Sequence, residues 1–145
     1  MEIKKPSEAQ FEEILQRSPQ ALYEGTRGNA RPSDEKVKQL IYPLLEKGGY
    51  YLAATEGETL MGWVLLGPAK DHFTDAEYGF LYELYVIEEF RGRGLSKHLM
   101  KEAIEQLKQK GYPEIRLGVF AGNPAAQLYE QLGFTVRNMV MSLPL

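Results

Sequence analysis

The chain has no cysteine. That excludes disulfides, a thiolate nucleophile and any cysteine-based metal site, and it suits a cytoplasmic setting. No apolar run approaches the length of a membrane span, and the N-terminus lacks a signal-peptide core. Basic residues are not in excess: 17 lysines and arginines stand against 20 acidic residues, for a formal net charge of −3. Nucleic-acid binding, which leaves a basic footprint, is therefore not expected. Repeats, low-complexity tracts and long linkers are also missing. What remains is 145 residues, 43% hydrophobic and 26% charged, the profile of one globular domain over residues 1–145 with a substantial core.

Hydrophobic spacing and capping residues order the chain. Ile3-Lys4-Lys5 reads as a short strand. Ser7 then caps a helix that carries Phe11, Ile14 and Leu15 on one face. Residues 18–32, rich in glycine and proline, read as irregular around a short helical piece at 21–23. Ser33 or Asp34 starts a second helix with Val37, Leu40, Ile41, Leu44 and Leu45, which Pro43 should kink or stop early. A hairpin follows at 50–55 and 60–66. Gly67-Pro68 should break its second strand ahead of a polar loop at 70–79. A strand at 80–87, a helix at 95–110 and a strand at 115–120 make a βαβ unit with a parallel pair. Asn123-Pro124 opens a last helix that Gly133 stops, and 134–136 and 139–143 finish as strand. The fold class is α/β (α+β): a mixed, mostly antiparallel sheet with a central parallel βαβ unit and helices on both faces.

Between the 80–87 strand and the following helix lies Arg91-Gly92-Arg93-Gly94-Leu95-Ser96. A glycine turn feeding a helix start exposes backbone N–H groups at the positive end of the helix dipole, an arrangement that binds phosphate. Arg91, Arg93 and Lys97 add positive charge around it. Two nucleotide motifs fail on inspection. No Gly-Lys-Ser or Gly-Lys-Thr exists, and Lys97 stands where the dinucleotide pattern needs its third glycine. Alone, the loop could equally be a tight basic turn.

A second motif, Asn123-Pro124-Ala125-Ala126-Gln127-Leu128-Tyr129-Glu130-Gln131-Leu132-Gly133-Phe134, follows the next strand. With Leu84-Tyr85-Val86, the glycine loop and the helix between, it resembles the Gcn5-related N-acetyltransferase (GNAT) superfamily over roughly the second half of the chain. One departure stands: the last loop position, usually Gly or Ala, is Ser96, whose small side chain still lets a pyrophosphate approach.

The resemblance implies acetyl-coenzyme A as co-substrate, an amine on a small molecule or peptide as acceptor, and no metal. It implies that the main chain of Arg91, Gly92, Arg93, Gly94, Leu95 and Ser96 holds the pyrophosphate. Leu84, Tyr85 and Val86 would run beside the pantetheine arm, provided their strand splays from its neighbour. A backbone N–H near Leu84 would polarise the thioester carbonyl, and Asn123, Ala126 and Tyr129 would contact the coenzyme. Tyr129 matches the position whose phenol protonates the leaving thiolate; as a plain structural residue it would be a core aromatic. Glu83, a carboxylate in an otherwise apolar strand, is the candidate base, placed by alternation on the face of Leu81 and Tyr85. An ion pair or solvent-side position is the alternative for it.

His98 reads as a helix-surface residue. His72 lies in the acidic, aromatic loop 71–78, which would favour a cationic amine if it covered the acceptor site. Tyr23, Arg27 and Arg31 occupy the region that often lines the acceptor side in this family. Many relatives are dimers, so a homodimer is an expectation, without a legible interface. A catalytically silent coenzyme A-binding module on the same fold is the competing reading.

Overall fold

The computed structural model describes residues 1–145. In chain order it forms β1 (Glu2–Lys4), α1 (Glu8–Gly25), α2 (Asp34–Glu46), β2 (Tyr50–Glu56), β3 (Thr59–Lys70) and β4 (Glu77–Val86). A 3-10 turn (Glu88–Phe90), α3 (Leu95–Gln109), β5 (Ile115–Leu117) and α4 (Ala125–Gln131) follow. The strands make one sheet in the order β1-β2-β3-β4-β5. Every neighbouring pair is antiparallel except β4 and β5, which run parallel.

The mixed α/β architecture expected from the sequence is present, with the parallel pair at one margin of the sheet. Trp63, Leu65 and Tyr51 face α1 and α2, where Ile14, Leu15, Val37 and Ile41 cover them. Val64, Leu66 and Leu81 face α3, beneath Leu99, Met100, Ala103 and Leu107. Because the side-chain period of a strand is two, adjacent residues of β3 feed opposite cores.

Several boundaries depart from expectation for physical reasons. α1 does not end near Ser18 but runs through Pro19 to Gly25. Its buried stripe continues through Ser18 and Ala21 beyond Ile14 and Leu15, and that packing outweighs the roughly 3 kcal/mol a helix-interior proline costs. Likewise α2 retains Pro43 in its last turn. β3 does not break at Gly67-Pro68. By that point β2 has ended, its last pair being Tyr50 with Leu66, so a proline there interrupts no ladder on that side. Gly67 lies so close to the chain at Gly49 that a Cβ would sit 2.7 Å from the Gly49 Cα. The glycine is there for that approach and not for a turn.

β5 is shorter than the 115–120 expected, and residues 134–136 and 139–143 form no strand. The tail instead leaves Val136, Met139, Val140, Met141 and Leu143 exposed.

Candidate active site

Gly92 and Gly94 have φ of +81° and +74°, the left-handed region that disfavours any side chain. Gly94 is the residue just before α3. The turn they make leaves the amides of Gly92, Arg93, Gly94, Leu95, Ser96 and Lys97 without any acceptor in the chain; the first helical bond runs from His98 to the Gly94 carbonyl at 3.2 Å. Free amides at a helix start form a cradle for an anion. Arg93 and Lys97 are exposed beside it and make no ion pair, so their charge is available. Arg91 is committed elsewhere. Its Nη2 lies 2.9 Å from Glu24, its Nε donates to the Val86 carbonyl at 2.9 Å, and its guanidinium stacks on Tyr85. Arg91 thus fastens the loop to α1 and β4.

β4 and β5 pair only from Gly79–Ile115 to Leu81–Leu117, and beyond that point they separate. The break coincides with a bulge: Leu66 opposes Leu81, but Leu65 opposes Glu83, so Tyr82 is the extra residue. Bulges bend a strand and increase its twist. The bulge also corrects the simple alternation. Glu83 does share a face with Tyr85, toward Trp63, but Leu81 lies on the α3 face with Leu84 and Val86, and Tyr82 packs toward α1 and α2.

The gap is narrow, with a volume of about 40 Å³. Leu81, Tyr82, Glu83 and Leu84 line it from β4, Met100 from α3, Leu117 and Gly118 from β5, and Tyr129 from α4. A larger hollow of about 240 Å³ lies at the far margin, between residues 5–8 and 49–51, and has neither the free amides nor the split strands.

On the α1–α2 side of the gap, burial pushes the Glu83 carboxyl up to about 7, against the hydrogen bond it accepts from Trp63 Nε1 at 2.8 Å. No cation pairs with it. A carboxyl titrating near neutrality can accept a proton and release it again. Tyr129 packs with the α3-side core against Phe134, and burial raises its phenol above the ordinary value, so it keeps its proton. Acid and base candidates therefore approach one gap from opposite faces of the sheet.

Of the remaining candidates, Asn123 acts as a cap: its Oδ1 accepts from the Ala125 amide at 3.0 Å, and its Nδ2 reaches the Gly25 carbonyl at 3.4 Å. Ala126 donates its amide to the Asn123 carbonyl. Tyr85 donates its hydroxyl to Glu24 at 2.8 Å, and Glu24 also accepts from Gln20. Burial works to raise the Glu24 carboxyl, but the bonds from Gln20, Tyr85 and Arg91 outweigh it and hold it low.

Arg31 stacks on Tyr23, and the Arg27 guanidinium lies against Gly122. The α1–α2 connection therefore meets the turn before α4. The acidic loop around His72 sits at the opposite, paired end of β4 and β5, held there by Asp71 and Arg116 at 2.9 Å, and takes no part in lining the gap. His98 is exposed on α3. Trp63 and Glu24 are the important residues that sequence reading missed; their partners are 20 and 67 positions away in the chain.

Comparison with known proteins agrees with this architecture. The model of the Acetyltransferase (GNAT) family matches residues 9–134. The uncharacterized N-acetyltransferase YycN of Bacillus subtilis is 31% identical over 124 residues, which is 79% of this chain and 78% of YycN. The uncharacterized N-acetyltransferase YhbS of Escherichia coli K12 is 33% identical over 105 residues, 70% of this chain and 59% of its own length. A Pyrococcus furiosus structure, solved as that of a candidate acetyl transferase, superposes with a TM-score of 0.82 at 26% identity over 99% of both chains. A match that begins in the first helix and ends just past the last one takes in every element bearing on the gap, and the chain belongs to the GNAT family of acetyltransferases.

Proposed function

We propose that this chain transfers the acetyl group of acetyl-coenzyme A to a primary amine of a small molecule or peptide. The observation that carries the reading is succession along one strand: β4, whose residues Leu81–Leu84 line the gap together with Tyr129, runs unpaired toward the free amides at Gly92–Lys97. The residues present fit the co-substrate. A pyrophosphate needs donors and no bulk, which the amides and the open space around Gly92 and Gly94 supply. A peptide-like arm needs a strand edge, which β4 supplies beyond Leu81.

When bound, acetyl-coenzyme A supplies an acyl group on a good leaving sulfur. The chain supplies the proton handling. An alkyl ammonium has a pKa above about 10, so it must lose a proton before its nitrogen can attack. Glu83 takes that proton on the α1–α2 face. As the new C–N bond forms and the C–S bond breaks, the sulfur takes the phenolic proton of Tyr129 on the other face, and the second proton shed by the acylated nitrogen passes through solvent to restore the phenol. Main-chain N–H near Leu84 stabilises the carbonyl oxygen while it carries charge. Because the acid and base approach from different faces, the two ligands need not cross.

The test has two stages. Coenzyme A should raise the Tm of the chain where ATP and NAD do not. Thiol release from acetyl-coenzyme A should then accelerate with at least one member of a panel of amines, amino acids, polyamines and peptides. Coenzyme A binding without turnover on any amine would convert the assignment to a binding module.

A further inference from the structure

The helix α1 closes on a left-handed residue that is not glycine. The Gly28 amide donates to the Tyr23 carbonyl at 2.8 Å, and the Arg27 amide to the Glu24 carbonyl at 3.1 Å. That pairing ends a helix through one residue at positive φ, ordinarily a glycine. Here the residue is Arg27, at φ +57°. A side chain in this conformation costs stability, and glycines stand close by at Gly25 and Gly28 without taking the position. Strain of this kind clusters where a side chain is used. The Arg27 guanidinium is exposed and makes neither an ion pair nor a hydrogen bond within the chain.

Its surroundings place it over the split in the sheet. Glu24 bonds to Tyr85 and Arg91, so one side of the α1 terminus rests on β4 beyond the point where β5 leaves it. The other side reaches the turn after β5. Asn123 Nδ2 lies 3.4 Å from the Gly25 carbonyl, and a Cβ on Gly122 would lie 3.6 Å from Arg27 Nη2. The end of α1 therefore bridges the separated strands on the α1–α2 face, the face of Trp63 and Glu83. Charge on this bridge is uneven. Arg17 pairs with Glu13, Arg31 bonds to Gln20 and stacks on Tyr23, and Glu24 is answered by Arg91. Arg27 is the charge left over. An amine approaching Glu83 from this face comes in beside a free guanidinium, whose planar fork matches the paired oxygens of a carboxylate or phosphate. A second ammonium there would be repelled.

We propose that Arg27 selects the acceptor: a primary amine that also carries an anionic oxygen group, a carboxylate or a phosphate, which the Arg27 guanidinium holds while the amine faces Glu83. The amine end rests on the acetyl-transfer reading, and the anion preference is measured apart from it. Calorimetric titration of the full chain, with and without saturating coenzyme A, sets β-alanine, 6-aminohexanoate and 2-aminoethyl phosphate against propylamine, hexylamine and 1,3-diaminopropane. At least one anionic amine should bind about tenfold more tightly than its neutral alkylamine, with the diamine weaker still. β-Alanine against 2-aminoethyl phosphate tells carboxylate from phosphate. Arg27→Gly removes the guanidinium and relieves the backbone together, so the Tm should rise while the anionic advantage vanishes. An arginine that only ends the helix would move the first and not the second. Equal affinity for anionic and neutral amines overturns the proposal, as does a preference for the diamine or an anionic advantage that survives Arg27→Gly. Turnover of alkylamines without anion preference would sink the role of Arg27 and leave acetyl transfer standing. Anion preference lost in Arg27→Gly, in a chain that does not bind coenzyme A, would do the reverse.

Discussion

The two ends of the β4–β5 pair are built on opposite terms. At the paired end the buried charge is answered. Asp71 accepts from the amides of Phe73 and Thr74 and from Arg116, and those bonds hold its carboxyl well below the usual range. Arg116 stacks on Tyr78 and also meets Glu114. At the split end polar groups are left wanting: the loop amides have no acceptors, and Glu83 has one indole N–H and no cation. Charge that is fully partnered holds a fold together. Charge and dipoles held without partners are what a ligand can use. The acidic loop around His72 shows the cost of reading residue type without that distinction, because its one buried carboxylate, Asp71, is already partnered.

The sharpest way to break the contrast is at Glu83. Glu83→Gln should lower kcat/KM by about 10²–10⁴-fold and abolish the rise in rate through pH 7; a pH–rate profile unchanged under saturating acetyl-coenzyme A would remove Glu83 from the mechanism. Tyr129→Phe should cost about 10²-fold in kcat with little change in the KM for acetyl-coenzyme A, and a parallel rise in KM would mean that the ring merely packs. Gly94→Ala meets open space, so its effect comes from φ alone. The strain of about 1–2 kcal/mol should appear as roughly a tenfold higher KM for acetyl-coenzyme A with kcat preserved.

Stability gives a smaller signal with a definite sign. The Glu83 carboxyl is raised from 4.5 to about 7 in the fold, so the folded state binds the extra proton between those values. Stability from this group is present below pH 4.5 and is lost as pH climbs through 7. Glu83→Gln should therefore match wild type at pH 4 and exceed it at pH 8, on the order of 3 kcal/mol by chemical denaturation. An equal difference at both pH values would place the carboxyl in solvent. Smallest on turnover is Asp71→Asn: the Tm falls and kcat is unchanged, since the satisfied end does no chemistry. A loss of kcat there would erase the distinction between the ends.

The features that were legible in the sequence are the local ones. Ser7 and Ser33 accept from the amides three residues on, as their capping role requires. Gly92 and Gly94 mark a left-handed turn because few other residues tolerate it. What escaped depends on residues distant in sequence. Pro19 looks like a stop until one sees what Ser18 and Ala21 bury. Gly67 looks like a breaker until Gly49 is beside it. The commitment of Arg91 to Glu24, and of Trp63 to Glu83, rests on strand register and helix placement that no local spacing contains. The strands expected at 134–136 and 139–143 do not form, because a strand needs a neighbour as well as a propensity.

One extra residue, Tyr82, has a consequence beyond the face it occupies. Its insertion bends β4 at the point where β5 stops following it. A chain lacking that single codon would have a straighter β4, and β5 could stay paired with it as far as Leu84. Such a deletion would close the gap, at the loss of the bond that Tyr82 donates to the Pro68 carbonyl and of its packing on Phe80. Between Leu81 and Glu83 residue count matters more than residue identity, because there the flaw in the sheet is what parts β4 from β5.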